Sequence, residues 1–151
     1  MGIESDIHQA TFKNAKQKAM INLLYSYGWV IERIKNSLAN EDITHQQYNI
    51  LRILRGSAPQ PLSTLQIRER MLDKMSDTSR IVDRLLAKEL VRKCTCPTDK
   101  RLVDVTISEK GLNMLQRIDA ESDHIHQAMS NLSEDEAGQL SDLLDKLRSG
   151  D

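Results

Sequence analysis

The chain has 151 residues, enough for one domain with a real core. Hydrophobic residues make up 39% and charged residues 28%, an ordinary balance for a soluble globular protein and not for a disordered one. The formal net charge of −1 excludes a uniformly basic protein, and no apolar run approaches the ~20 residues that cross a bilayer. The first residues lack the apolar core of a signal peptide, and two cysteines do not make a disulfide framework. A cytoplasmic protein with no membrane partner is expected.

In chain order, apolar positions recur with helical spacing from Asn14 to Leu38, through Ala15, Ala19, Leu23, Tyr27, Val30, Ile31 and Ile34. Met20, Ile21 and Leu24 widen that stripe, so this helix should be covered on more than one side. Thr44 and Gln47 read as a capping box opening a helix to about Arg55, with Tyr48, Leu51 and Leu54 inward. Pro59 and Pro61 end it. Ser63 and Gln66 repeat the box before a short helix, Thr64 to about Met71, expected to be buried through Leu65, with Ile67 and Met71 as further candidates. A turn over 72–77 leads into a helix from about Asp77 to Leu90. Its apolar side holds Ile81, Leu85 and Leu86, and its polar side Arg80, Asp83, Arg84 and Lys88. Two short helices joined by a tight turn form a helix-turn-helix layout.

After Leu90 the period changes to 2. Val103, Val105 and Ile107 alternate with polar neighbours as in a half-buried strand, and Val91–Cys96 is its antiparallel partner, joined through PTDK. A long helix is expected from Glu109 to about Ser130. Ser133 and Glu136 cap a last helix to about Leu147, with Leu140, Leu143, Leu144 and Leu147 inward. The class is mainly α with a small β-hairpin wing (α+β).

Charge is unevenly placed along this order. From Arg80 to Arg101 there are seven Lys/Arg against three acids, whereas from Asp119 onward nine acids face two cations. Such a split suits a local anion-binding surface. The central block reads as a winged helix-turn-helix. Helix 77–90 has the dimensions of the major groove, with Ser76, Asp77, Thr78, Ser79 and Arg80 at its base-facing start and Arg84 and Lys88 further along. Ser63, Thr64 and Gln66 sit at a helix N-terminus, where backbone and side-chain donors suit phosphate oxygens. Lys100 and Arg101 at the hairpin tip would bring a cation to the minor groove, and Asp99 makes sense there as a brace for Arg101.

These residues carry a resemblance. SDTSRIVDRLLAKELVRKCTCPTDKRLVDVTISEKG, residues 76–111, resembles the signature of the MarR family of dimeric winged-helix transcription regulators. The match runs through Ser76, Ser79, Arg80, Val82, Leu85, Leu90 and Val91, then Pro97, Asp99, Arg101, Val105, Ile107, Ser108 and Gly111. The resemblance implies a recognition helix at 77–90 and a wing at 96–101 with Arg101 as the wing arginine. It further implies a central DNA-binding core (44–107) between N-terminal (1–43) and C-terminal (108–151) dimerisation regions. Glu89 departs from the pattern, which has glycine between helix and strand. A left-handed backbone there would cost a non-glycine residue ~1 kcal/mol, so a different local turn is expected.

A homodimer also follows from the apolar stripes of the terminal helices, which exceed what one small winged core can cover. Its two recognition helices would then lie ~34 Å apart, as a palindromic operator requires. The resemblance implies a double-stranded DNA operator, repression, and release by a small phenolic or aromatic effector. By position such a pocket would involve Tyr27, Trp29 and Tyr48; core packing is the favoured role for these three aromatics.

Cys94 and Cys96 share one face of a strand with Cα atoms ~6.6 Å apart, the outer limit for a disulfide. Ordinary thiols are expected, with a thiol-based redox-sensing regulator as the alternative. Neither this pair nor His124 and His126, which do not share a helix face, makes a metal site. No phosphate-binding loop, dinucleotide fingerprint, nucleophile elbow or zinc-protease motif occurs. Neither an enzyme nor a cofactor is therefore expected. The remaining alternative is a winged-helix protein-interaction module without DNA binding.

Overall fold

A computed structural model of the chain describes residues 2–95, 98–99, 103–121 and 124–150. Its elements are α1 (Ile3–Asp6), α2 (Ala15–Ser37), α3 (His45–Ser57), β1 (Leu62–Ser63), α4 (Thr64–Arg70), α5 (Thr78–Ala87), β2 (Val91–Thr95), β3 (Val103–Ile107), α6 (Glu109–Glu121), α7 (His124–Ala128) and α8 (Glu134–Arg148). The chain divides into a central unit, Lys35–Asp123, and a terminal unit composed of Met1–Ile34 and His124–Asp151.

The central unit holds most of the buried apolar side chains. Ile50, Leu51 and Leu54 of α3 meet Ile67 of α4 and Val82 and Leu85 of α5. Val105 of β3 and Leu115 and Ile118 of α6 complete the core, all at or below 1% exposure. Three helices begin where the sequence places them, each with a reciprocal capping box: Thr44 with Gln47, Ser63 with Gln66, and Ser133 with Glu136. Asp77 caps α5 by accepting from the Arg80 N–H at 3.2 Å.

The expected hairpin is part of a three-stranded antiparallel sheet of order β1-β3-β2. Leu62 and Ser63 pair with Val105 and Asp104, while β2 runs from Val91 opposite Ile107 to Thr95 opposite Val103. Strand β1 is only two residues long, too short for alternation to reveal. It matters because Ser63 is both a sheet residue and the cap of α4, so the sheet sets where that helix starts.

Leu65 is not inward. It is 64% exposed, while Ile67 and Met71, one helical turn apart, take the buried positions. Helix α5 is also shorter than 77–90. It ends at Ala87, and Glu89 lies in the left-handed region at φ 61. The different turn expected at Glu89 is therefore not found. The Leu90 N–H donates to the Leu85 carbonyl and the Glu89 N–H to the Leu86 carbonyl, both at 3.0 Å, which is a Schellman ending in which glutamate takes the place usual for glycine. Burial of Leu85 and Leu90 on either side of the turn supplies the hydrophobic contact that holds it.

The stretch expected as one helix from Glu109 to about Ser130 is described as α6 and α7. In the terminal unit Ile3 is buried, Lys18 pairs with Glu4 and lies 5.9 Å from the Phe12 ring centroid, and Arg33 stacks 3.5 Å above Trp29. Neither α2 nor α8 has a buried residue, so the coverage expected for α2 and the inward α8 leucines are not met within one chain. Leu24, Tyr27, Leu143 and Leu147 are each at least 60% exposed.

Candidate nucleic-acid interface

Two groups of sequence-selected residues meet in the central unit. Thr64 at the start of α4 and Ser76, Asp77, Thr78 and Ser79 at the start of α5 line one open cleft of about 490 Å³. Leu65, Arg68 and Met75 complete its wall. The sequence reading missed these three. For Leu65 and Arg68 a signal existed, since they lie i, i+3 on a side of α4 turned away from the buried Ile67. Nothing comparable marks Met75 in the sequence.

Local chemistry fixes both helix starts. The Ser63 Oγ accepts from the Gln66 N–H at 3.2 Å, and the Gln66 Oε1 accepts from the Ser63 N–H at 2.9 Å. Asp77 holds the first turn of α5 and its carboxylate lies 3.7 Å from Arg80 Nε. That pair is exposed, so it orients the guanidinium more than it stabilises the fold. Ser76 Oγ and Thr78 Oγ1 are buried with no hydrogen-bond partner among the described residues.

Along α5 the cations part ways. Arg80 and Arg84 are exposed and, at i, i+4, share a face. Lys88 turns instead to the loop before α3, donating to the Asp42 carbonyl, with the Asp42 carboxylate at 3.6 Å. Lys93 of β2 pairs with Asp83 of α5 at 2.8 Å and ties the strand to the helix. The junction behind α5 is held by Ser108, which donates from Oγ to the Glu89 carbonyl at 2.7 Å and accepts from the Gly111 N–H at 3.1 Å.

Cys94 is an exposed thiol on β2, opposite Asp104. Asp99 is among the described residues, whereas Cys96, Lys100 and Arg101 lie outside them, and with them the proposed Asp99–Arg101 brace and the Cys94–Cys96 pairing. Of the aromatic positions, Tyr48 is buried in the central unit; Tyr27 is exposed and Trp29 half-buried on α2 of the terminal unit.

The MarR family profile matches residues 43–103. The HTH-type transcriptional regulator MhqR of Bacillus subtilis is 28% identical over 133 residues, covering 86% of this chain and 89% of that protein. A mutant MarR of E. coli complexed with operator DNA superposes with a TM-score of 0.75 at 22% identity, over 98% of this chain and 99% of that one. BpsR of Bordetella bronchiseptica, whose DNA binding is regulated by 6-hydroxynicotinic acid, superposes with a TM-score of 0.78 at 19% identity, over 93% and 100% of the two chains. The 76–111 signature, the winged-helix architecture and these matches together support a winged-helix regulator of the MarR type, with residues 43–103 as the part that the family profile matches.

Proposed function

We propose that the chain acts as a homodimeric repressor of palindromic double-stranded DNA. Helix α5 enters the major groove with Ser79, Arg80 and Arg84 towards the bases, and the start of α4 meets phosphate. The wing at 96–101 reaches the neighbouring minor groove through Arg101. The observation that carries this reading is the convergence of the α4 and α5 starts on one open cleft, beside an α5 face bearing exposed Arg80 and Arg84. The E. coli relative held on operator DNA supports it through the shared fold. The exposed apolar faces of α2 and α8 favour a second copy of the chain as their cover. Release by a small aromatic effector is proposed by analogy with BpsR.

Selection of bound duplexes from a random pool, followed by affinity measurement across a salt series, tests the reading. A palindromic site should emerge, and its binding should weaken steeply with salt as phosphate counterions are released. Arg80→Ala should cost about 1–3 kcal/mol and relax specificity at one position in each half-site. Failure of any duplex to bind in a salt-dependent way would refute it.

A further inference from the structure

The cleft beside α5 contains two apolar side chains left in solvent. Met75 is 94% exposed and Leu65 64% exposed. Single exposed apolar residues are ordinary on protein surfaces, but these two share one cleft with Arg68 and the start of α5. The backbone that presents Met75 is also tied down. Its N–H donates to Asp73 Oδ1 at 3.0 Å, the Ser76 N–H donates to the Asp73 carbonyl at 3.3 Å, and the Leu72 N–H donates to Asn49 Oδ1 at 3.0 Å. A long, adaptable thioether therefore projects from a fixed turn, two residues before the Asp77 cap.

The major groove offers one prominent apolar group, the C5-methyl of thymine; its other distinguishing atoms are hydrogen-bond donors and acceptors. We infer that Met75, backed by Leu65, is a specificity-determining contact that packs against a thymine methyl in each half-site. The inference rests on the DNA-binding reading above and adds to it a contact made through hydrocarbon. Ser79 and Arg80 supply the polar part of recognition, and Met75 separates thymine from the other bases at its own position.

Uracil differs from thymine only by that methyl and pairs identically, so it isolates the contact. Each thymine of the selected duplex is replaced singly by deoxyuridine, and the 151-residue chain is titrated against each duplex by fluorescence anisotropy at fixed salt. Burial of one methyl group corresponds to about a fourfold change in affinity, so a loss of that size is expected at one thymine per half-site. Met75→Ala should bind the thymine and deoxyuridine duplexes alike, whereas Met75→Leu should keep the preference. Equal binding of the parent and every substituted duplex by the unmodified chain would overturn the inference, as would a Met75→Ala variant that still prefers thymine. If no duplex emerges from selection, the DNA-binding reading fails and this one falls with it, an outcome distinct from tight binding that ignores the methyl.

Discussion

His45 shows how position alone sets the chemistry of a side chain. It is the first residue of α3, and its pKa lies below the usual histidine range, first because burial disfavours the imidazolium and then because Lys35 is close; Asp73 opposes the shift. The positive end of the helix dipole acts in the same direction as burial. A depressed histidine pKa favours the neutral folded form, so the associated stability is present above the ordinary histidine pKa and is lost as pH falls through the lowered value. Replacing His45 with Gln should flatten the loss of thermal stability below about pH 6.5, leaving stability at pH 8 nearly unchanged. A pair of melting curves against pH checks this. Glu89 poses a different single-residue question. Its left-handed backbone carries strain that glycine would not, so Glu89→Gly should raise stability by about 1 kcal/mol. Urea unfolding should show this as a higher midpoint at unchanged slope.

Helix α5 is held at both ends by groups the sequence displays but does not visibly connect. The Schellman ending was misjudged, because glutamate stands in the place usual for glycine. The Asp77 cap was open to local reading, because caps use residues three positions apart. The attachment of that ending to α6 was not, since Ser108 reaches Glu89 across 19 positions. Gly111 shows why the signature ends in glycine. A Cβ there would lie 2.4 Å from the Leu90 carbonyl oxygen and 2.8 Å from Ile107 Cγ1. Gly111→Ala must push α6 away from the helix–strand junction and should destabilise the chain by about 1–3 kcal/mol. Chemical denaturation measures that cost, and an unperturbed midpoint would show that the junction yields freely.

At the level of the assembled molecule, apolar surface is unevenly satisfied. The central unit encloses its large side chains, whereas α2 and α8 leave Leu24, Tyr27, Leu143 and Leu147 in solvent. If a second copy covers them, Leu143→Asp should shift the protein to monomer in sedimentation. It should also weaken operator binding well beyond a single lost contact, because two half-sites are no longer engaged together. A dimer that survives the charge would place the interface elsewhere.

Periodicity, capping pairs and turn residues reported the helices other than α1 and the separate α7, the two longer strands and the 76–111 signature, because each is written in residues no more than a few positions apart. Local spacing likewise located Thr64, Ser76–Ser79 and Arg80. What it could not report was which of them share a cleft, that Met75 stands beside them, that Lys88 turns to Asp42, or that two residues at Leu62 complete the sheet. Those facts depend on which distant segments pack together. A helix face records how apolar it is but not what covers it, and only the folded chain separates the buried stripe of α3 from the exposed stripes of α2 and α8.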